Sequence, residues 1–374
     1  MVKCIVIGAG IMGASTAYHL AKMGAEVTLV DRKDKGQATD AAAGIICPWV
    51  SQRRNKAWYR LASAGARFYP QLINELEKAG ETETGYARVG ALLLHDDEDK
   101  LNKLEERAGI RKADAPEIGQ ITLLDSLATK RHFPLLADGY PSVFIGGAAR
   151  VDGQALRNAL VSAARKHGAA ILNGDAALSF KANRVNGVVV EEREYVADAI
   201  IVCAGIWARE LLGKAGISFQ VASQKAQILH LQTQEGHPTE RWPVVMPPSD
   251  QYLLAFDRQR LVIGATHENE GLLAREATAT AGGLQEVLNK GLLVAPGLAD
   301  SEILETRVGF RPFTPGFLPV AGKCPGWDGL FAANGLGSSG LTVGPFLGEQ
   351  MAKLVLGKPV EIDFNDYDPG MAIH

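Results

Sequence analysis

The sequence predicts an α/β chain, α+β overall, in which a Rossmann-like dinucleotide-binding domain is interleaved with a second domain on a mostly antiparallel sheet. Three observations predict it. A strand, a glycine turn, a helix, a second strand and an acid follow one another from Lys3 to Asp31. Nucleotide-type patterns return from residue 149 and again near the end. The stretches between them, 85–148 and 221–308, change character, and the second is strand-rich with only one helix. The expected division is therefore 1–84, 149–220 and 309–374 for the dinucleotide domain, and 85–148 and 221–308 for a substrate domain.

The first unit carries the strongest signal. Lys3-Cys4-Ile5-Val6-Ile7 reads as a buried parallel strand, being short and nearly all apolar. In the GxGxxG turn that follows, Gly8 allows the tight turn, Gly10 lets backbone approach a pyrophosphate, and Gly13 lets helix and strand pack closely. The helix predicted from Gly13 to Met23 presents Ala14, Ala17, Tyr18 and Ala21 on one face, and its N-terminus offers N–H groups to phosphate. Glu26 to Val30 is the second strand, and Asp31 at its end is placed to accept hydrogen bonds from a ribose.

A long helix is expected from Ala57 to Ala79, with Leu61, Ala64, Phe68, Leu72 and Leu76 as its apolar stripe, Pro70 bending it and Gly80 ending it. Val89 to His95 reads as a strand and Glu98 to Arg107 as a charged helix. Leu123 to Asp125 opens a short element followed by loops. Asp152 can cap a helix running through Lys166 and ended by Gly168. Ala169 to Leu172 and Ala199 to Cys203 are strands, with a hairpin of Arg184 to Val190 and Glu194 to Val196 between them. Gln227 to Leu231, Tyr252 to Phe256 and Leu261 to Ile263 are further strands, and a helix lies near Gly282 to Lys290. The last helix is expected from Gly344 to Leu356, with Pro345 at its start.

Composition bounds the function. With 374 residues, 47% hydrophobic, the chain supports two domains and a sizeable core. A net charge of -3 supplies no field for nucleic acid. Cys4, Cys47, Cys203 and Cys324 show no metal-ligand spacing, so no metal is expected, and their use fits a reducing compartment. The first strand begins at residue 3, and no apolar run approaches a membrane span. A cytoplasmic protein is expected. Peripheral membrane contact and oligomeric state stay open.

Seven segments in order resemble the D-amino-acid oxidase/glycine oxidase superfamily of flavoproteins. They are GAGIMGASTAYHLAKMGAEVTLVD at 8–31, ATDAAAGI at 38–45, ARVDGQAL at 149–156, ADAIIVCAGIWA at 197–208, LVIGAT at 261–266, VGFRPFTPGFLPVAG at 308–322 and GLGSSGLTVGPFLG at 335–348. The resemblance implies FAD as cofactor, with the substrate against the flavin ring. The cofactor residues it implies are Gly8, Gly10, Ile11, Met12, Gly13, Asp31, Arg32, Ala43, Gly44, Ile45, Ala177, Ala204, Gly205, Trp207, Arg311, and the run Gly335, Leu336, Gly337, Ser338, Ser339, Gly340, Leu341, Thr342. The residues agree with this. Ala43-Gly44-Ile45 lacks bulk, as a backbone passing close to a flat ring requires, and Ala204-Gly205 offers the same at a strand end. N–H groups of 335–342 face the flavin's pyrimidine edge in this reading, where they favour reduction. The place where some relatives attach flavin through cysteine aligns with Gly309, so non-covalent FAD is expected.

Arg311, in GFRPFTP, matches the family's carboxylate arginine, and its planar guanidinium can grip both oxygens. Tyr252 is the second choice for the same carboxylate. His267 and Glu268 suggest a polar pair. The chain departs from the glycine oxidase pattern at Ser338, where that pattern has arginine, and has Leu336 where some relatives have histidine. The expected reaction is oxidation of an amino acid at its α-carbon by hydride transfer to flavin N5, giving an imino acid that hydrolyses to a 2-oxo acid. D-amino acids come first as substrates; glycine, sarcosine and proline are the alternatives. Oxygen or a quinone or carrier takes the electrons. An NAD-dependent dehydrogenase and a non-catalytic flavin-binding module remain as rival classes.

Overall fold

The computed structural model describes residues 1–269 and 277–373. Its first strand, β1 (Lys3–Ile7), is buried from Cys4 onward, as a strand covered on both faces must be. α1 (Ile11–Lys22) leads to β2 (Glu26–Asp31), which pairs parallel with β1. Next come β3 (Ile45–Ile46), α2 (Lys56–Lys78), β4 (Ala91–Leu94), α3 (Glu98–Lys112) and β5 (Ile121–Leu124). The chain continues through α4 (Ser126–His132), β6 (Ser142–Ile145), β7 (Ala149–Arg150) and α5 (Gly153–Lys166). Then follow β8 (Ala170–Asn173), β9 (Ala176–Lys181), β10 (Arg184–Val190), β11 (Arg193–Val196), β12 (Ala199–Val202) and α6 (Ala208–Gly213). The strand-rich stretch holds β13 (Ala222–Gln232), β14 (Val244–Met246), β15 (Tyr252–Ala255), β16 (Arg260–Gly264), α7 (Ala281–Val294) and β17 (Glu302–Phe313). β18 (Val320–Lys323), β19 (Leu330–Asn334) and α8 (Gly340–Val355) end the regular structure.

Two large sheets result. One has six strands in the order β18-β19-β12-β1-β2-β8, parallel except for the β18–β19 pair. The other has eight, in the order β17-β13-β16-β15-β14-β4-β6-β5, antiparallel except for β14 with β4. Strands from distant parts of the chain thus meet in each sheet. The expected hairpin is present as β10–β11, but β9 joins it to make three strands that bridge β8 to β12.

Several local expectations need correction. α1 is not buried on one face alone: every residue from Ile11 to Ala21 is buried, because α5 and α8 pack on it while the sheet covers the rest. Ser15 accordingly spends its hydroxyl on the Pro345 carbonyl (2.7 Å). The loops expected after Asp125 contain α4, capped by the Asp125 carboxylate on the Ala128 N–H.

The last helix starts at Gly340, not Gly344, so Pro345 lies in its second turn. A proline there leaves the carbonyl four residues back without its usual N–H partner. That carbonyl is Leu341's, and the buried Tyr69 hydroxyl donates to it. Among the described residues no helix is long and apolar enough to cross a membrane.

Candidate active site

One cavity of about 440 Å³ runs between the two large sheets. At one end its wall is Gly8, Gly10, Ile11, Met12, Asp31 and Arg32. Ala43, Gly44, Ile45, Ala204, Gly205 and Trp207 line the middle. Tyr252, Arg311, Leu336, Gly337, Ser338, Gly340, Leu341 and Thr342 close the far end. Residues separated by more than 300 positions are thereby brought onto one surface. Of the residues expected at the cofactor, Gly13, Ala177, Gly335 and Ser339 lie off that wall.

Each of these four has a visible reason. A Cβ on Gly13 would overlap the Gly8 carbonyl, so this glycine sets how closely α1 meets the turn. Gly8 itself has φ +99°, a conformation side chains disfavour. Ala177 is exposed on β9, and strand alternation turns its buried neighbour Ala176 to the cavity instead. The Gly335 N–H is taken by Asn334 Oδ1 (2.7 Å). The Ser339 N–H bonds the Leu336 carbonyl (2.9 Å), while its hydroxyl accepts from Trp58 Nε1 (3.1 Å).

The phosphate end is organised by residues the motif did not reveal. Asp31 accepts from the Ala9 N–H, the Lys33 N–H and Gln37 Nε2. Three of about four acceptor positions on the carboxylate are thus filled by the protein, which leaves room for about one ribose hydroxyl. Thr39 Oγ1 accepts from the Ile11 N–H (2.9 Å) at the head of α1. That helix has no side-chain cap at Gly10, and its first internal bond runs from the Ala14 N–H to the Gly10 carbonyl (2.9 Å). Gly10, Ile11 and Met12 at this helix head line the cavity, where a helix N-terminus can meet an anion. Arg32 is held by Asp34 (2.8 Å) and Asp175 (3.0 Å).

Asn334 was also invisible in the motif. Besides holding Gly335, it donates from Nδ2 to the Gly205 carbonyl (2.8 Å), so one buried amide ties two cavity loops together. The Asn-Gly dipeptide at a strand end was its only sequence signal. Gly44, at φ +90°, would press a Cβ into the Val151 carbonyl, so its lack of bulk answers to the protein as well as to any ring. At Gly205 a Cβ would meet no protein atom within 4 Å, which marks open space in the cavity. A cavity bordered by the head of α1, an acid at a strand end and a glycine loop with open space at Gly205 fits an adenine dinucleotide such as FAD.

At the far end Arg311, on β17, and Tyr252, on β15, share the cavity wall, near enough for the guanidinium charge to act on the phenol. Arg311 also donates to Gln224 Oε1 (3.0 Å), and among the described residues no carboxylate pairs with it. Burial pushes the Tyr252 phenol up to about 12, with the Arg311 charge opposing, so the hydroxyl stays a donor. Asp250 and His267 share this part of the wall, their Oδ2 and Nδ1 3.5 Å apart.

The expected pairing of His267 with Glu268 is corrected here. Neighbours in an extended segment point oppositely. Glu268 turns away to Lys225, to Gln227 Nε2 (2.7 Å) and to Thr266 Oγ1 (2.6 Å).

Comparison with known proteins agrees with the geometry. A model of the FAD dependent oxidoreductase family, DAO, matches residues 3–354. The chain is 61% identical over 373 residues to an uncharacterized oxidoreductase, YurR, of Bacillus subtilis strain 168, covering 100% of both. It is 27% identical over 372 residues to a glycine oxidase of Pseudomonas aeruginosa, covering 98% of each. Among solved structures, iminodiacetate oxidase from Chelativorans sp. BNC1 superposes with a TM-score of 0.94 at 45% identity, covering 98% of each chain. The chain belongs to the FAD dependent oxidoreductase family, and FAD is its cofactor.

Proposed function

We propose that the protein oxidises a small amino acid at its α-carbon, with the substrate carboxylate held by Arg311 and Tyr252. The observation that carries this reading is an arginine without a carboxylate partner among the described residues, set with a half-buried phenol on the wall of the FAD cavity. A guanidinium fork and a hydroxyl fix a carboxylate in orientation as well as position, which is what presenting one C–H bond to a flat ring demands. Bound FAD supplies the two-electron acceptor for that bond. The imino product hydrolyses in water to an oxo acid and an amine or ammonia.

The names of the relatives order the substrates. An iminodiacetate oxidase at 45% identity and glycine oxidases at lower identity favour glycine and N-substituted glycines. They come ahead of the larger D-amino acids that motif reading alone puts first. The same names favour oxygen as acceptor. Non-covalent FAD held by the glycine turn, Ala43–Ile45 and the 336–342 loop belongs to this proposal. So does a division into a cofactor domain on the six-stranded sheet and a substrate domain on the eight-stranded one.

The test is anaerobic bleaching of the purified yellow protein by glycine, sarcosine, iminodiacetate and both enantiomers of alanine and proline. Bleaching by the glycine derivatives at the lowest concentrations is expected. A flavin that stays oxidised with every one of them overturns the reading, and preference for D-alanine reverses the substrate order.

A further inference from the structure

The carboxylate pair accounts for one side of the cavity's far end. On the same wall, within reach of the guanidinium charge, lies a second polar group that the reaction has not yet used. His267 follows β16, and Asp250 precedes β15. The antiparallel register that sets Tyr252 against Gly264 brings their loops together. Asp250 is held from behind: Lys290 Nζ, on α7, contacts both carboxylate oxygens at 3.1 Å, and Gln251 Nε2 donates to Oδ1 at 3.0 Å. Gln251 is itself pinned by the Ala265 carbonyl (3.1 Å). His267 Nδ1 lies 3.5 Å from Asp250 Oδ2, and with the ring proton assigned to Nδ1 on that side, Nε2 is the acceptor.

An amino acid arrives at neutral pH mostly as an ammonium ion, whose nitrogen has no free electron pair. The C–H bond can leave with its electrons only after that nitrogen has lost a proton. Resting on the carboxylate reading above, we propose that His267, oriented by Asp250, accepts the proton of the substrate ammonium group. The N–H bond breaks, its electron pair stays on nitrogen, and the proton goes to His267 Nε2. From there it passes to water, because the imidazole is 37% exposed. Asp250 is the positioning residue: it directs the ring and balances the imidazolium that forms.

Electrostatics support the assignment. Among the described residues, the charged groups acting on His267 are Arg311 from β17, Asp250, and Lys290 from α7, the last also bound to Glu286 (2.8 Å), and Tyr252 from β15 lines the same wall. Burial and then the Arg311 charge hold His267 below its ordinary value of 6.5, with Asp250 pulling the other way, so the ring is neutral and able to accept at pH 7. Burial raises the Asp250 carboxyl, but the Gln251 and Lys290 bonds outweigh it and keep the group ionised. A substrate carboxylate on Arg311 cancels the charge that suppresses His267. The base therefore strengthens when the substrate is seated.

The experiment follows flavin reduction by iminodiacetate, sarcosine and glycine under anaerobic conditions across pH, in holoenzyme carrying His267→Gln or Asp250→Asn. His267→Gln should slow reduction by about 10²-fold at pH 7, within the usual range for a lost proton acceptor. It should recover toward the wild-type rate at high pH, where the free amine dominates. Asp250→Asn should shift the acid limb of the wild-type profile to lower pH. Acetate, which has a carboxylate and no amine, should perturb the flavin spectrum of His267→Gln as it does the wild type, showing an intact site. A loss in His267→Gln that is the same at every pH, or no loss at pH 7, overturns the proposal. If no amine reduces wild-type flavin, the parent reading has failed and takes this one with it, a result distinct from a flat variant profile beside an active wild type.

Discussion

Arg311 shows how much one side chain carries here. It sits on a strand of the eight-stranded sheet, yet its guanidinium reaches the wall of the cofactor cavity beside Tyr252. Replacing it with alanine should remove a charge-assisted contact of about 1.5–3 kcal/mol, lowering kcat/KM by roughly ten- to a hundredfold. Arg311→Lys keeps the charge but loses the fork, so steady-state kinetics should place it between the two. An unchanged kcat/KM in the alanine variant would remove Arg311 from the site. Tyr252→Phe should raise KM, since it removes the O–H donor that burial keeps protonated.

At the scale of elements, α8 is the informative case. Its first turn, Gly340 to Thr342, forms part of the cavity wall, and Pro345 interrupts the hydrogen-bond ladder behind it. Tyr69, from α2, repairs the break at the Leu341 carbonyl. Tyr69→Phe leaves that buried carbonyl unpaired and should cost about 1–3 kcal/mol by denaturant unfolding. Because the frayed turn lines the cavity proposed to hold FAD, the variant should also release FAD more readily on dilution, read as the rise of free-flavin fluorescence. Full stability together with unchanged retention would show that the proline is accommodated by other means. The N-terminal rule for proline misplaced this helix start because the compensating hydroxyl comes from an element 272 positions away.

For the whole molecule, charged contacts tie the two large sheets' elements together. Asp152 caps α5 through the Ala155 N–H (3.0 Å) and binds Arg260 of β16 at 2.9 Å. Burial raises its carboxyl, but the Ala155 bond and Arg260 outweigh it and hold it below its ordinary value. Its stabilising effect is therefore present above the unfolded value and is lost as pH falls through the lowered one. Asp152→Ala should cost about 1–3 kcal/mol, while Asp152→Asn keeps the cap and loses only the ion pair.

A second pH effect comes from His19, buried in α1 between Tyr18 and Phe68. Burial, then the charges of Lys22 and Lys353, lower it from 6.5 to about 3. Between those values the unfolded chain binds a proton that the native one refuses, so stability falls as pH drops below about 6.5. Thermal unfolding between about pH 7 and pH 5 should show this slope, and His19→Gln should flatten it.

What the sequence determined by itself was everything written in contiguous backbone: the strand–turn–helix–strand unit through Asp31, the alternation of segment types, and the cofactor family. Glycine turns, apolar strands and caps are local, so their residues lie next to one another in the chain. Tertiary structure decided the rest. Thr39 at the head of α1, Asp250 behind His267 and Tyr69 under Pro345 have no local signature, and Asn334 clamping Gly205 has only its Asn-Gly dipeptide. Each acts by meeting a partner from another element, and the partner's arrival depends on strand order and register. The direction in which His267 and Glu268 part was likewise a matter of which face each side chain took, a choice that adjacency in the chain does not make.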